Sequence, residues 1–287
     1  MTVERRSGAF AHPVGAKELP MLWTASTLNG YAIEATDGQI GTVSDLLFDD
    51  RGWIVRWIVV ETGSWLSGRK VLLPLSALGQ PDSARHHFPV TLTMQQVRDS
   101  PALDADQPVS RQAEAQLYNF YGWNPYWGSG SLSTDNFMAI PSGLPLRPAE
   151  PGPREAGAAE PEPAEGDPHL RSVSAITGYH IEATDGEIGH VEGFLVEATD
   201  WSIRYIIIDT RNWWPGEKIL ISPLSVTTID WPASLLHLDL TREKVRGGPR
   251  YDPAMAVDDS YDEAFLAHYG IKFVARQGRD WRPSAER

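Results

Sequence analysis

The octapeptide EATDGQIG at residues 34–41 is written a second time as EATDGEIG at residues 182–189, with Gln39 replaced by Glu187. An Asp-Gly pair between strand-like residues is typical of a two-residue hairpin turn, because both central positions of that turn favour positive φ. Glycine inside a strand often marks a bulge. The octapeptide therefore predicts a turn followed by a bulge, which together bend a hairpin into the wall of a barrel.

The apolar residues that follow the turn support the bulge. Ile40 and Val43 are three residues apart, so strict alternation would place them on opposite faces of the strand. A bulge at the intervening glycine returns both side chains to one face. We therefore assign a structural role in the turn or bulge to six residues of the two copies: Asp37, Gly38, Gly41, Asp185, Gly186 and Gly189.

A metal-binding loop is the alternative use of this motif. It would use Glu34, Asp37 and Glu187, but their spacing lacks the alternating oxygen ligands of a calcium loop, and the first copy has lost one carboxylate. The adjacent pair His86 and His87 has no counterpart in the second copy. We expect no metal and no cofactor.

The octapeptide belongs to a longer internal repeat. Residues 28–73 align with residues 176–221 at a constant shift of 148, and 20 of the 46 aligned positions are identical. Matches at the same shift return as far as residues 121–122 and 269–270. Two copies with so long a period do not fit a solenoid, so the repeat predicts two duplicated domains.

Each copy contains about five short strand-like segments joined mostly by turns. WIVRWIVVE (53–61) and WSIRYIIID (201–209) are apolar on both faces apart from one arginine, as in a central strand. Short strands joined by turns predict a mainly β fold of two small barrels.

Short helices are predicted after each barrel. Thr93 with Gln96, and Ser260 with Glu263, fit the capping box at a helix start. Gly270 suits the position just after a helix end.

The chain is predicted to have five parts. The segment between the copies is rich in Pro, Ala and Glu and cannot bury enough apolar surface to offset its ordering entropy, so we expect a disordered, extended linker. The parts are an N-terminal tail (1–20), a first barrel with its C-terminal helix (21–128), the linker (129–170), a second barrel with its C-terminal helix (171–275) and a C-terminal tail (276–287).

The composition narrows the class of function. The formal net charge of −13 disfavours nonspecific binding to nucleic acid, which needs Lys and Arg to neutralise phosphates. The absence of cysteine excludes disulfides, thiolate metal sites and a cysteine nucleophile. The N-terminal sequence has no signal-peptide core, and no stretch reaches the roughly 18 apolar residues of a membrane span. We expect a cytoplasmic protein without a membrane span.

Matching loops at residues 62–70 and 210–218 contain tryptophans. A tryptophan in a Gly- or Pro-bearing loop can anchor a binding partner, or it can have a structural role, as a lid over an open barrel end or in packing between the barrels. The sequence leaves both roles open. The candidate partner-binding residues are Trp65, Trp213 and Trp214.

Four basic residues recur at equivalent positions. Arg56 and Arg204 lie in apolar strands, where an unpaired buried charge would be costly. We expect each guanidinium to reach solvent at a strand edge. Lys70 and Lys218 could bind an anion, but a solvated strand start is the simpler interpretation.

Three motifs together resemble the PRC-barrel domain. They are the DG-x-IG hairpin, the central strand R-(W/Y)-I-(V/I)-(V/I)-(E/D), and K-(V/I)-L-(L/I) with a following P-L-S. The resemblance covers residues 25–78 and 173–227. The extensions to the YGW and YGI ends resemble those of bacterial stand-alone PRC-barrel proteins.

The resemblance implies a small β-barrel that docks onto other macromolecules and has no catalytic residues. The domain occurs in the H subunit of photosynthetic reaction centres and in the ribosome maturation factor family. We expect neither the membrane helix of the first nor the separate N-terminal barrel of the second. Neither of those two functions is therefore carried over.

We predict a non-enzymatic protein-binding or assembly module in which the two barrels of one chain pair. A tether raises the effective concentration of one barrel near the other, and self-association into homo-oligomers is a further expectation. One alternative is a ligand-binding or enzymatic barrel, which would need a concave pocket with convergent polar groups. Another is a ribosome- or ribonucleoprotein-associated factor that binds a basic protein and makes no direct contact with nucleic acid.

Overall fold

The protein consists of two bodies, each built from one β-sheet with short helices packed on it. We call residues 22–122 the first barrel and residues 168–271 the second barrel. The prediction of a mainly β fold with two barrels and short helices is confirmed. The predicted tails and most of the predicted linker lie outside the described residues. The computed structural model describes residues 22–101, 109–122, 168–210, 218–254 and 257–271.

The first barrel is formed by the following elements. They are β1 (Leu22–Thr24), β2 (Ala32–Ala35), β3 (Gly38–Asp49), β4 (Ile54–Glu61), β5 (Lys70–Pro74), β6 (His87–Pro89), α1 (Met94–Arg98), β7 (Val109–Ser110) and α2 (Arg111–Tyr121).

The second barrel repeats this order and adds one strand, which lies in sequence between the counterparts of β5 and β6. Its elements are β8 (Pro168–Ser172), α3 (Val173–Ile176), β9 (His180–Ala183), β10 (Gly186–Glu197), β11 (Ile203–Asp209), β12 (Lys218–Ile221), β13 (Val226–Asp230), β14 (Leu235–Leu238), α4 (Arg242–Arg246), β15 (Arg250–Tyr251) and α5 (Asp259–Tyr269).

A long strand of 12 residues lies at the centre of each sheet, β3 in the first and β10 in the second. The strand orders are β5-β4-β3-β2-β6 and β13-β14-β9-β10-β11-β12-β15. The pairs β2–β6 and β9–β14 are parallel, and the other neighbours along these two paths are antiparallel. The equivalent strands of the two copies therefore occupy equivalent places.

The repeated octapeptide forms the hairpin that leads into each long strand. Its two turn residues are residues 36–37 in the first copy and residues 184–185 in the second. Positive φ occurs at Gly38 (155°) and Gly186 (131°) and not at the preceding aspartates. The turn thus comes one residue earlier than the sequence predicts, because the glycine is the first strand residue. A Cβ on Gly38 would meet the sulfur of Met94 at 2.7 Å.

A one-residue register shift follows each turn. It leaves Ile40 and Ile188 without a cross-strand partner, and both side chains are fully buried. The residue after each isoleucine, Gly41 or Gly189, must be glycine because the backbone of the neighbouring strand, β4 or β11, passes very close to it. A Cβ on Gly41 would lie 2.0 Å from the backbone oxygen of Glu61, and the equivalent distance at Gly189 is 2.1 Å.

The turn aspartates hold the helix that follows the sheet. Asp37 accepts a hydrogen bond of 2.7 Å from the backbone N–H of Met94, the first residue of α1. Asp185 accepts one of the same length from Arg242, the first residue of α4. The first N–H groups of a helix have no partner within the helix, and the helix dipole favours a carboxylate there. This contact spans 57 residues of sequence, so the local pattern does not reveal it.

The helix starts agree with the sequence in one case and differ in the other. Thr93 forms the predicted capping box at α1. At α5 the N-cap is Asp258, whose carboxylate accepts from the N–H of Tyr261 at 2.9 Å, and the predicted capping box at Ser260 is wrong. Ser260 lies inside the helix and its hydroxyl donates to Asp258. Gly270 ends α5 in the left-handed region, at φ 70°.

One buried apolar cluster runs through the interiors of both barrels. Two smaller clusters lie on the outer faces of the sheets. In the first barrel α2 covers Trp57 and Leu72, and in the second α5 covers Tyr205 and Leu220. Among the described helices, none has the length and apolar character needed to cross a membrane.

Candidate functional site

The two barrels exchange their leading strands. β1 precedes the first barrel but pairs with β10 of the second, with Leu22 opposite Glu197. β8 precedes the second barrel but pairs with β3 of the first, with Ser172 opposite Leu47. Leu22 and Leu170 are equivalent in the repeat, and each packs into the outer apolar cluster of the other barrel. Residues 168–170, predicted as the end of the linker, are part of β8.

The contact between the barrels is centred on two equivalent tryptophans. Trp53 and Trp201 both adopt left-handed backbone conformations, with φ of 51° and 59°. The N–H of Val55 donates to the carbonyl of Trp201 at 2.9 Å, and the N–H of Ile203 donates to the carbonyl of Trp53 at 2.8 Å. This reciprocity is the pattern of a twofold contact, in which one surface meets its own equivalent.

Aromatic rings join the two interiors around this centre. Phe48 stacks on Trp53 with ring centroids 5.3 Å apart, and it lies 6.1 Å from Phe194 of the second barrel. Phe88 of the first barrel lies 6.2 Å from Trp201 of the second. Stacked and tilted pairs at these distances add to the stabilisation that apolar burial gives. The two interiors therefore form one continuous core.

A polar contact attaches β8 to the first barrel. The carboxylate of Asp45 accepts hydrogen bonds from the Ser172 hydroxyl, from the Ser174 hydroxyl at 2.8 Å and from the Ser174 backbone N–H at 3.1 Å. Ser172 is also the N-cap of α3. One carboxylate thus holds both the end of β8 and the start of the helix that follows.

A half-buried ion pair lies next to this contact. The Nε of Arg171 donates to Asp50 at 3.0 Å, and the two side chains are only 13% and 16% exposed. The guanidinium also lies 3.9 Å from the ring centroid of Trp231, within the range of a cation–π interaction. Burial raises the pKa of the Asp50 carboxyl, while the hydrogen bond and charge of Arg171 act in the opposite direction.

The reciprocal contact of β1 with the second barrel lacks these charges. Gly193 and Ala198 stand where the first barrel has Asp45 and Asp50, and Trp23 stands where β8 has Arg171. Trp23 packs against the shared core, and its buried indole N–H finds no hydrogen-bond acceptor among the described residues. The two exchanged strands therefore have the same backbone pairing and different side-chain chemistry.

A buried hydrogen bond fixes each C-terminal helix to the central strand beneath it. In the first barrel the indole Nε1 of Trp57 donates to Glu114 of α2 at 2.9 Å, and Glu114 is fully buried. In the second barrel the hydroxyl of Tyr205 donates to Asp262 of α5. Trp57 and Tyr205 are equivalent in the repeat, as are Glu114 and Asp262.

These contacts change the acidity of the tyrosines around them. Burial, and secondarily the charge of Glu114, raise the pKa of Tyr118 to about 12. Burial, followed by the hydrogen bond and charge of Asp262, raises the pKa of Tyr205 further. Burial also raises the pKa of Tyr269. The phenols under the helices are thus held in the protonated form.

Arg56 and Arg204 pair with acidic residues on neighbouring elements. Arg204 contacts Glu197 of β10 at 2.8 Å and Asp262 of α5 at 3.3 Å. Arg56 lies 3.6 Å from Asp49 of β3. The expectation of guanidiniums in solvent at a strand edge is wrong, because cross-strand carboxylates that sequence spacing does not reveal lie beside them. Each partially buried charge is thereby compensated.

The structure places one of the three candidate tryptophans. Trp65 is half-buried, packs against the shared core and donates its indole N–H to the backbone carbonyl of Ile40. The guanidinium of Arg98 lies 5.7 Å from the centroid of the Trp65 ring. Trp213 and Trp214 lie outside the described residues. Binding of a partner by these three tryptophans stays a prediction.

The remaining candidate residues make the following contacts. Lys218 pairs with Glu192. His87 lies 3.5 Å from Glu34, and His86 stacks on Tyr31. Within the described ranges, no three His, Asp or Glu side chains converge as a metal site would require.

Sequence reasoning missed the polar residues of the β8 contact. The three charged residues among them share one signal, because the other copy has an uncharged residue at each equivalent position. The two serines give no such signal, since the other copy also has a hydroxyl at both positions. Conserved positions of the repeat describe the barrel, whereas its exceptions mark where the two barrels differ. The missed residues are Asp45, Asp50, Arg171, Ser172 and Ser174.

Comparison with known proteins finds a family model that matches most of the sheet of the first barrel. The family model of the PRC-barrel domain matches residues 24–92. A protein of Deinococcus radiodurans, described as an uncharacterized protein, is 35% identical over 74 residues, which are 26% of this chain and 26% of that protein. The chain thus spans about a quarter of the length of this relative. Residues 24–92 therefore form a PRC-barrel domain.

Proposed function

We propose that the protein is a non-enzymatic assembly module whose working unit is the intramolecular pair of its two barrels. The observation that carries the proposal is the reciprocal exchange of β1 and β8. Each leading strand completes the sheet of the other copy, so neither sheet is complete by itself. The pair is thus the smallest unit in which both long strands are covered.

The exchanged strands protect an edge that would otherwise be open. The second half of β3 extends past the end of β2, and there β8 takes the place beside it. An open strand edge can pair with another chain and promotes aggregation. Pairing within one chain removes this edge and leaves the outer surface of the pair free for a partner.

The partner is proposed to be a protein. A net charge of −13 disfavours a nucleic acid and is compatible with a basic protein. Trp65 is the described candidate contact, in the short 3-10 helix between β4 and β5. Trp65→Ala separates two roles, because loss of partner binding at unchanged melting temperature supports an anchor, and loss of melting temperature supports a structural role.

Disulfide trapping tests the intramolecular pair, and the chain has no native cysteine to interfere. Leu47→Cys with Ser172→Cys places cysteines at opposed positions of β3 and β8. We expect an oxidised product with the mass of one chain and a changed mobility in nonreducing electrophoresis. The matched control, Leu47→Cys with Thr24→Cys, combines two residues that face different strands and should not close within a chain. Disulfides found only between chains would contradict the pair.

The assembly role is tested with the purified, tagged full chain as bait in a lysate of its native cell without reductant, because the cytosol would reduce an engineered disulfide. We expect a stoichiometric protein partner to be retained by the wild type and by the variant locked through the disulfide between positions 47 and 172. Retention by the locked variant would show that the partner binds the closed pair. Turnover of a small molecule by the purified protein would contradict the non-enzymatic part of the proposal.

A further inference from the structure

We infer that the polar contact of β8 makes the pairing selective, so that the first barrel accepts the leading strand of the second barrel in preference to a copy of its own. The inference rests on the proposed intramolecular pair and specifies which partner surface each barrel accepts. The contact consists of Asp45 and Asp50 on one side and Arg171, Ser172 and Ser174 on the other.

Pairing between two first barrels would lose the ion pair. The strand laid on β3 would then be β1 of another chain, which has Trp23 at the position of Arg171. Asp50 would remain largely buried without its cation, and an uncompensated buried carboxylate is unfavourable. Thr24 and Ser26 could still offer hydroxyls to Asp45, so the discrimination in this case comes from Asp50.

Pairing between two second barrels would lose both parts of the contact. β8 would lie on β10 of another chain, where Ala198 replaces Asp50 and Gly193 replaces Asp45. Arg171 would keep its own Trp231 but lose its carboxylate. Ser172 and Ser174 would lose their shared acceptor.

The mixed pair avoids both losses because the two sites are matched. The charged site receives the strand that carries the arginine, and the uncharged site receives the strand that carries the tryptophan. Specificity of this kind arises from the penalty on the wrong pairs as much as from the contacts of the right pair. The backbone pairing and the reciprocal hydrogen bonds at Trp53 and Trp201 are common to all three combinations and contribute little to the choice. The rings around them are not common to all three, because the repeat has Val196 at the position of Phe48.

The test uses the full chain cut at one position after folding. A specific protease site introduced near residue 155 yields two fragments of unequal mass, one for each barrel. The cut protein is unfolded in urea, refolded, and analysed by native mass spectrometry, which distinguishes the mixed pair from the two like pairs. Selective pairing predicts almost only mixed pairs, whereas random pairing gives about half mixed pairs.

Removing the charges should remove the preference. In Asp50→Ala with Arg171→Ala, we expect the mixed fraction to fall towards about half. Reversing the charges in Asp50→Lys with Arg171→Glu should restore most of the preference. Arg85→Ala is the matched control, because Arg85 forms an exposed ion pair with Asp82 on the first barrel. The fraction of mixed pairs formed by the Arg85→Ala fragments should equal that of the wild type.

The outcomes separate this inference from the proposed function. Fragments that stay single after refolding, in a sample whose circular dichroism is native, would contradict the intramolecular pair itself. Wild-type fragments that pair at random would overturn the selectivity and leave the pair intact. An unchanged mixed fraction in the double alanine variant would assign the selectivity to residues other than Asp50 and Arg171.

Discussion

In both barrels a hydrogen bond attaches the C-terminal helix to the central strand, but different residues form it. In the first barrel a tryptophan donates to a glutamate, and in the second a tyrosine donates to an aspartate at the equivalent positions. The phenol hydroxyl extends farther from the backbone than the indole N–H, and aspartate is one methylene shorter than glutamate. The longer donor is thus matched with the shorter acceptor, so the combined reach, meaning the summed length of the two side chains, is similar in both barrels.

A repeat can thus preserve a contact without preserving the residues that make it. An identity count records Trp57/Tyr205 and Glu114/Asp262 as two mismatches. In space they form one interaction, buried between a strand and a helix, where an unpaired donor or acceptor would be costly. The interface differs in the opposite way, since there the backbone pairing is preserved and the side-chain chemistry of the two sites is not.

The largest effect should come from a feature that the two copies share. Gly41→Ala would place a Cβ 2.0 Å from a backbone oxygen, and we expect it to lower the free energy of unfolding by about 3 kcal/mol or more. Gly189→Ala should cost at least as much, because its φ of 139° is also unfavourable for alanine. Urea denaturation followed by circular dichroism measures both.

The matched control for these substitutions is Gly193→Ala. A Cβ at Gly193 has its nearest neighbour at 3.9 Å, which is ordinary van der Waals contact. We expect a change within about 0.5 kcal/mol. Equal losses at Gly41 and Gly193 would show that the close approach of the neighbouring strand is not the reason for the glycine.

The duplicated architecture could be predicted from the sequence because its signals are local and repeated. The turn-and-bulge motif and the apolar central strands lie within short windows, and the second copy supports each of them. The repeat also aligned the glycines at positions 41 and 189. It did not show that their role is to let another strand pass, because that strand lies about 20 residues away in sequence.

The candidate site could not be predicted because it depends on which element meets which. The composition of the sequence around Leu170 predicts a linker, although this residue is fully buried under α2 of the other barrel. Arg56 and Arg204 were expected to reach solvent because their partners lie on adjacent strands and a helix. Strand exchange leaves no pattern in the sequence of the exchanged strand itself.

Alkaline pH should lower the free energy of unfolding through the buried tyrosines at both helix contacts. Unfolded tyrosines lose their proton near pH 10, whereas Tyr118 and Tyr205 keep theirs to higher pH in the folded state. Their contribution to stability is therefore complete below pH 10 and is lost as the pH rises above it. The free energy of unfolding should then fall with a slope of about 1.4 kcal/mol per pH unit for each such tyrosine.

Tyr118→Phe and Tyr205→Phe each remove one of these contributions, the first from the first barrel and the second from the second barrel. Both variants should show a shallower loss of unfolding free energy above pH 10. The contribution of Tyr118 should level off near pH 12, where its folded form also ionises, and that of Tyr205 should continue. Urea denaturation at successive pH values measures the slopes. An unchanged slope in Tyr205→Phe would show that this phenol ionises freely in the folded protein.

Exchanging one pair for the other tests whether combined reach is what the repeat preserves. Trp57→Tyr alone should destabilise the first barrel, because the ring is smaller and the hydroxyl meets a glutamate that is too long. Adding Glu114→Asp should recover about 1 kcal/mol. The full cycle, with Glu114→Asp alone, isolates the coupling between the two positions. A double variant that is no more stable than Trp57→Tyr would contradict the length compensation.

The smallest expected effect makes the second copy more like the first. Thr93 and Gln96 cap α1 reciprocally, whereas at α4 Thr241 accepts from the N–H of Lys244 and a lysine cannot return a bond to the N-cap N–H. Lys244→Gln should complete the capping box and raise the free energy of unfolding by about 0.5 kcal/mol. Lys244→Met removes the same charge without supplying an acceptor and is the control. If both variants change the melting temperature equally, the gain comes from charge and the reciprocal bond contributes nothing.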